Sequence, residues 1–231
     1  MIQEKRIKSR EASILVSKTS TKKLLPIEMP KPAFDHDSSV FKALQQRKTI
    51  REISDKKLSL QILSNLLWSA YGVNRKIGPF GIPGRTAASA SNSQEIDLYV
   101  AIEEGIYFYD AFHHSLVPVV AGDLRTLAIG PGQANFVAKA PMQLIYVVDV
   151  MKLTNTSGYQ EPGLQDPEIQ KSYYYVDTGL IAGNVYLFAA SQGLASWFHN
   201  CNKSILTEKL NLRTDQRVLF GQTVGYPVKI K

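Results

Sequence analysis

A single cysteine, Cys201, leaves the chain without an internal disulfide, so nothing in its 231 residues argues for an oxidising compartment. Metal-ligand spacing is missing as well. There is no cysteine pair, and His36, His113, His114 and His199 form no HExxH pattern, so no metal is expected. Nucleotide and hydrolase signatures are absent too. Gly130-Pro131-Gly132 lacks the third glycine of a dinucleotide fingerprint and follows a helical pattern rather than a strand, and neither GxxxxGK[ST] nor GxSxG occurs. The arm from Met1 to about Lys23 has no secretory core, its best apolar run being Ala12 to Val16. A cytoplasmic address is the expectation. The longest stretch without a formal charge, Thr178 to Asn202, carries Asn184, Ser191, Gln192, His199, Asn200 and three glycines, which suits a buried helix followed by a strand better than a membrane span. Aromatic clusters such as Tyr173-Tyr174-Tyr175 are not interleaved with Lys and Arg, so no nucleic-acid partner is expected.

At 44% hydrophobic and 10% aromatic, the composition is that of a globular protein with a sizeable core. The formal charge is +7, but up to Lys31 there are eight Lys/Arg against three Asp/Glu, which places five of the surplus charges in the first segment. This divides the chain into a basic, proline-containing arm (1–33), a single domain (34–228) and a short basic tail (229–231).

Pro26, Pro30 and Pro32 predict an extended lead-in. Asp37 or Ser38 can cap a helix through about Gln46, and Ser59 a second from Leu60 to Tyr71, with Gly72 as a left-handed exit. Val73 to Gln94 reads as a long loop rich in Gly, Pro, Ser and Ala. Ile96 to Ile102 and Ile106 to Tyr109 form a hairpin around Glu103-Glu104-Gly105, Asp123 to Ile129 is helical, and Met142 to Val150 is a strand covered on both faces. Met151 to Pro167 is a polar connector, mobile or a lid. From Gln170 or Tyr173 to Gln192 runs a helix apolar nearly all round, which belongs at the centre of a core or in a subunit interface, and Gly193 ends it. Ala195 to Phe198, Ile205 to Leu210 and Arg217 to Val224 complete the pattern as strand, helix and strand. Helices mixed with a hairpin and separated strands indicate an α+β fold.

The run Arg47-Lys48-Thr49-Ile50-Arg51 falls where a helix ends and an extended segment begins. Three cations and a hydroxyl in five residues can grip a phosphate, because guanidinium binds oxyanions in a bidentate way. A solvated face is the other reading of such a run. Four further segments follow it in order: LQILSNLLWSAYG (Leu60 to Gly72), Arg85-Thr86 ahead of Ser89 to Gln94, the APMQLIYVVD strand, and DTGLIAGNVYLFAASQGLAS. Together, over about Lys42 to Pro227, they resemble the FMN-dependent nitroreductase family, and within it the branch that includes azoline dehydrogenases of peptide maturation.

The resemblance implies a nitroreductase-like α+β fold with a central, mostly antiparallel sheet flanked by helices, and a homodimer with the long apolar helix in its interface. It places the FMN phosphate and ribityl chain at Arg47, Lys48, Thr49 and Arg51, and the flavin beside Ser89, Ala90, Ser91 and Asn92 of the partner subunit. Ala88 stands where the family has proline. Gln133 takes the position of an amide that pairs with the flavin pyrimidine edge, a loop surface glutamine being the competing reading. Phe198, Asn200 and Cys201 fall where the family runs its backbone past flavin N5, with Phe198 replacing a common proline. Lys229 and Lys231 are candidates for a return to the phosphate or simply a frayed tail. The implied activity is ping-pong hydride transfer from NADH or NADPH through FMN to an organic acceptor such as a nitroaromatic or quinone. No protein acid or base is required, since the cofactor carries the chemistry. The alternatives are azoline-to-azole oxidation and a non-catalytic flavin scaffold.

Overall fold

The computed structural model describes residues 23–33, 39–133, 137, 139–158 and 165–228. Its centre is a strand buried on both sides. β7 (Met142–Asp149) is covered at every residue. Because successive side chains alternate, Met142, Leu144, Tyr146 and Val148 enter one core while Ile145 and Val147 enter another. That explains the uninterrupted apolar run. Around β7 lie β4 (Ile96–Ile102), β5 (Gly105–Asp110), β6 (Ser115–Ala121), β8 (Ala195–His199), β9 (Gln216–Gly225) and the two-residue β1 (Ile27–Glu28). The order is β1-β6-β5-β4-β7-β9-β8, and every neighbouring pair is antiparallel.

On one face lie α1 (Val40–Gln46), α2 (Leu60–Tyr71) and the 25-residue α4 (Pro167–Ser191). The larger core forms there, from Leu63, Leu66 and Leu67 of α2 and Ile181, Val185 and Phe188 of α4. The opposite face is covered by a 3₁₀ turn (Arg125–Ala128) and by α5 (Lys203–Lys209), which contributes Leu206. The short α3 (Val150–Thr154) follows β7 directly. Leu66 is fully buried, so Leu66→Ala is expected to cost about 2–5 kcal/mol. A lower urea midpoint with an unchanged m-value would show it.

The helix ends follow local chemistry. Ser59 caps α2 by accepting the Ile62 N–H (3.2 Å). For α1 the cap is Ser39, accepting the Lys42 N–H (3.2 Å), while Asp37 and Ser38 lie outside the described residues. Gly72 does not make a left-handed exit: its φ is −70° and the chain leaves α2 extended, the Gly72 N–H still bonding to the Trp68 carbonyl. Gly193 does turn left-handed, at φ 64°. Its N–H reaches the Ala190 carbonyl (3.3 Å) and that of Leu194 the Ala189 carbonyl (2.8 Å), a Schellman ending that sends the chain into β8.

The segment read as loop, Val73 to Gln94, holds more structure than its composition indicated: a small ribbon of β2 (Val73–Arg75) and β3 (Gly84–Arg85), and 3₁₀ turns at Pro79–Gly81 and Ala90–Asn92. Asp123 to Ile129 is helical only as the Arg125–Ala128 3₁₀ turn. The connector begins with α3 rather than an open loop.

Candidate cofactor site

Arg47 ends α1, a favourable place for a cation against the helix dipole, and its guanidinium lies over the Tyr186 ring of α4, 5.6 Å from the centroid. Thr49 Oγ1 and the Tyr186 hydroxyl are hydrogen-bonded at 3.2 Å, and that hydroxyl accepts the Phe198 N–H at 2.9 Å. The Ile50 N–H donates to the Ser196 carbonyl (3.1 Å), which fastens the segment to the open edge of β8. Arg51 stands 5.3 Å from the centre of the Trp197 ring. Tyr186 thus ties the helix end, the apolar helix and the edge strand β8 into one corner. Arg47, Lys48, Thr49 and Arg51 are all exposed, and none of the three cations is in an ion pair among the described residues. A corner with several uncompensated cations and a hydroxyl is suited to an oxyanion.

The chain end returns to this corner. The Ser54 N–H donates to the Tyr226 carbonyl (2.8 Å) and the Val228 N–H to the Glu52 carbonyl (3.0 Å). Lys229 and Lys231 lie outside the described residues.

At the far end of β8, the loop bearing Gln133 meets the Asn200 peptide. A Cβ placed on Gly130 would stand 2.9 Å from Gln133 Oε1 and 3.1 Å from the Asn200 carbonyl oxygen, so the three groups pack closely. Gln133 Oε1 is buried with no hydrogen-bond partner among the described residues. A buried acceptor without a donor is suited to a ligand N–H. Cys201 is 3% exposed and packs with Ala128, Leu206 and Leu210, and burial pushes its thiol up to about 11. It is an inert core thiol. Phe198 packs on Tyr146 and Phe220, with ring centres 5.8 and 4.8 Å away.

The loop Ser89 to Gln94 is held tightly from within. Ser91, Asn92 and Gln94 all have positive φ, near 50°. Strain of this kind persists only where neighbours fix it. Here Ser89 Oγ accepts the Gln94 N–H (3.0 Å), Asn92 Nδ2 donates to the Pro79 and Ile82 carbonyls (3.2 Å each), and Arg85 Nε donates to Gln94 Oε1 (2.6 Å). The Ala90 N–H donates to Asp177 Oδ2 of α4 (2.8 Å). Asp177 neighbours the fully buried Glu95, which accepts Ser93 Oγ–H at 2.6 Å. Burial, then the neighbouring Asp177, pushes the Glu95 carboxyl up to about 8, so it carries the proton that the two share.

Within one chain the loop and the cation corner are not brought together. Asp177 and Tyr186 are nine positions apart on α4, about 13 Å along the axis. Sequence reasoning also passed over Tyr186, whose hydroxyl was hidden in an apolar run, and Glu95 with Asp177, which only the fold makes neighbours. Among the described residues no cluster of His, Cys, Asp and Glu is arranged to hold a metal ion, and no helix is long and apolar enough to cross a membrane.

The nitroreductase family model matches residues 44–226. A nitroreductase-like protein of Methanocaldococcus jannaschii is 31% identical over 160 residues, 66% of this chain and 74% of its own. The crystal structure of a nitroreductase-like protein from Ralstonia eutropha JMP134 superposes with a TM-score of 0.76 at 32% identity, over 91% of this chain and 98% of that one. A chain of the Escherichia coli microcin synthetase McbBCD complex shares the fold at 18% identity and a TM-score of 0.62, over 91% of this chain and 80% of that one. On the family match and the level of identity to these relatives, the chain belongs to the nitroreductase family.

Proposed function

We propose that this chain is an FMN-dependent oxidoreductase, taking hydride from NADH or NADPH and passing electrons to a small organic acceptor such as a nitroaromatic or quinone. The observation that carries this reading is the conjunction, along β8, of cations at the end of α1 and a buried Gln133 oxygen, neither with a compensating partner among the described residues. FMN has an anionic phosphate for the first and a pyrimidine N3–H for the second. Arg47, Lys48, Thr49 and Arg51 hold the phosphate and ribityl chain, Gln133 accepts from the pyrimidine edge, and the backbone from Phe198 to Cys201 borders the ring. Bound FMN supplies a two-electron centre that accepts and releases hydride. The residues around it bind and orient it, and no side chain has to shuttle a proton at a fixed atom.

A homodimer completes the site, with Ser89, Ala90, Ser91 and Asn92 contributed by the partner subunit. Supporting this, α4 leaves Tyr173, Val176 and Leu180 on its surface at helical spacing, and α1 leaves Val40, Phe41 and Leu44 exposed. The protein is placed in the cytoplasm under this reading.

The test is anaerobic: add FMN, then NADH or NADPH, and follow the flavin absorbance. Bleaching by either nicotinamide is expected. Failure to bind FMN would overturn the reading. Binding without bleaching would favour the second reading, azoline-to-azole oxidation, which the shared fold with the microcin synthetase chain keeps in view, or a non-catalytic scaffold. Turnover of an azoline peptide separates those two.

A further inference from the structure

The last residue of β8 is held by an unusual neighbour. His199, 5% exposed, lies between the Trp197 ring (5.0 Å between centres) and Gly221. A Cβ on Gly221 would stand 2.9 Å from His199 Cε1 and 2.5 Å from the Ala128 carbonyl oxygen, so glycine there makes room for the imidazole. Both ring nitrogens are engaged: Nδ1 with the Asn200 carbonyl oxygen at 2.7 Å, Nε2 with Thr223 Oγ1 at 2.8 Å.

These contacts fix the hydrogens. A carbonyl only accepts, so Nδ1 carries the hydrogen and donates it to Asn200. Burial lowers the His199 pKa, which keeps the ring neutral and makes Nε2 an acceptor. Thr223 must then donate its hydroxyl hydrogen to Nε2. Thr223 Oγ1 lies 2.5 Å from the terminal amide of the fully buried Gln143, whose amide nitrogen is otherwise without a partner among the described residues. With the amide turned so that this nitrogen faces Thr223, one of its hydrogens meets Oγ1, and the run of donors goes Gln143 to Thr223 to His199 to the Asn200 carbonyl.

The consequence falls on one peptide plane. Across a trans peptide the carbonyl and the following N–H point in opposite directions, so pinning the Asn200 oxygen to His199 also fixes the Cys201 N–H. Neither the Asn200 nor the Cys201 N–H donates to any group among the described residues. The unpartnered Gln133 oxygen adjoins the same peptide. Two adjacent N–H donors and one acceptor, each without a partner among the described residues, thus lie around one peptide held by a buried, fully engaged histidine.

We infer that His199 is a positioning residue: through its hydrogen bond to the Asn200 carbonyl, set by Thr223 and Gln143, it orients the Asn200–Cys201 peptide toward the acceptor atoms of a bound flavin. This rests on the FMN reading above. Its effect falls on how tightly each oxidation state of FMN is held, because hydrogen bonds at the ring's polar edge respond to the charge gained on reduction.

The experiment compares the full-length wild-type protein with His199→Phe, which keeps a ring and removes both nitrogens, and Thr223→Val, which keeps the shape and removes only the hydroxyl. Thermal melting checks the fold of each. FMN titration gives the affinity of the oxidised cofactor, and anaerobic potentiometry gives the ratio of oxidised to reduced affinities. His199→Phe is expected to change that ratio at least tenfold, about 30 mV for a two-electron couple, and to alter the shape of the bound flavin's visible bands. Thr223→Val is expected to move both in the same direction by less. If wild type binds FMN and both variants keep its ratio and spectrum, His199 only fills space and the inference is overturned. If His199→Phe does not fold, Thr223→Val decides by the same measure. If wild type binds no FMN, the functional reading itself falls and takes this inference with it.

Discussion

Arg47→Ala is expected to weaken FMN binding a hundredfold or more while leaving the melting temperature nearly unchanged. The affinity loss corresponds to about 2.7 kcal/mol, within the range for a charge-assisted hydrogen-bonded contact to an ionised group. The small effect on stability follows from where the side chain stands. Arg47 is exposed, and its one described partner is the Tyr186 ring at 5.6 Å, a contact worth about 0.5–1 kcal/mol at such a site. Arg47→Lys keeps the charge without the planar fork, so a loss of about tenfold is expected, steeper in high salt. Riboflavin, which has the ring and ribityl chain but no phosphate, is the control. Quenching of flavin fluorescence should show it binding wild type and Arg47→Ala alike. Equal losses for riboflavin and FMN would mean that the arginine does not read the phosphate.

The cation corner was legible because its ingredients are contiguous: Arg47, Lys48, Thr49 and Arg51 sit in one run where a helical pattern stops, and capping chemistry at Ser59 and Gly193 marked its neighbours. The central strand was equally plain, since burial on both faces leaves a continuous apolar signature in Met142 to Asp149. β6 was missed. Pro118 interrupts its run of valines, and proline argues against a strand with partners on both sides. In the fold β1 pairs only with Ser115 and Leu116, so Pro118 lies beyond the end of that pairing. A bulge between Ile106 and Tyr107 further leaves Val119 without a facing residue. The Gly72 turn was misread because glycine permits a left-handed ending without requiring one. What stayed hidden in the site was non-local: Tyr186 reaches Thr49 across 137 positions, and His199 is explained only by Thr223 and Gln143 on neighbouring strands.

Glu95→Gln is expected to stabilise the protein increasingly as the pH rises from about 4.5 to above 8. In the native state, burial and the adjacent Asp177 raise the Glu95 carboxyl from 4.5 to about 8, so between those values the folded chain holds a proton that the unfolded chain has released. Stability linked to this group is therefore complete below 4.5 and is lost as the pH climbs through 8. Glutamine cannot ionise. It keeps an oxygen for the Ser93 hydroxyl and offers an N–H to Asp177, which continues to accept from Ala90. The variant thus copies the protonated wild type at every pH, and the difference between the two proteins should grow from near zero to on the order of 2–4 kcal/mol. His114 and His199 act in the opposite sense: burial lowers both, so their contribution is present above about 6.5 and fades on acidification. Both proteins carry them, so taking the difference in urea midpoints removes their effect. Arg85, lying over the Tyr71 ring at 5.0 Å, is common to both as well. A stability difference that stays flat from pH 5 to pH 9, or a glutamine variant that is the weaker protein at the alkaline end, would show that the carboxyl pair does not share a proton. Asp177 anchors the Ala90 N–H beneath a loop with three residues at positive φ, so the like charges that face each other once Glu95 ionises in wild type should appear first as protease sensitivity between Ser89 and Gln94.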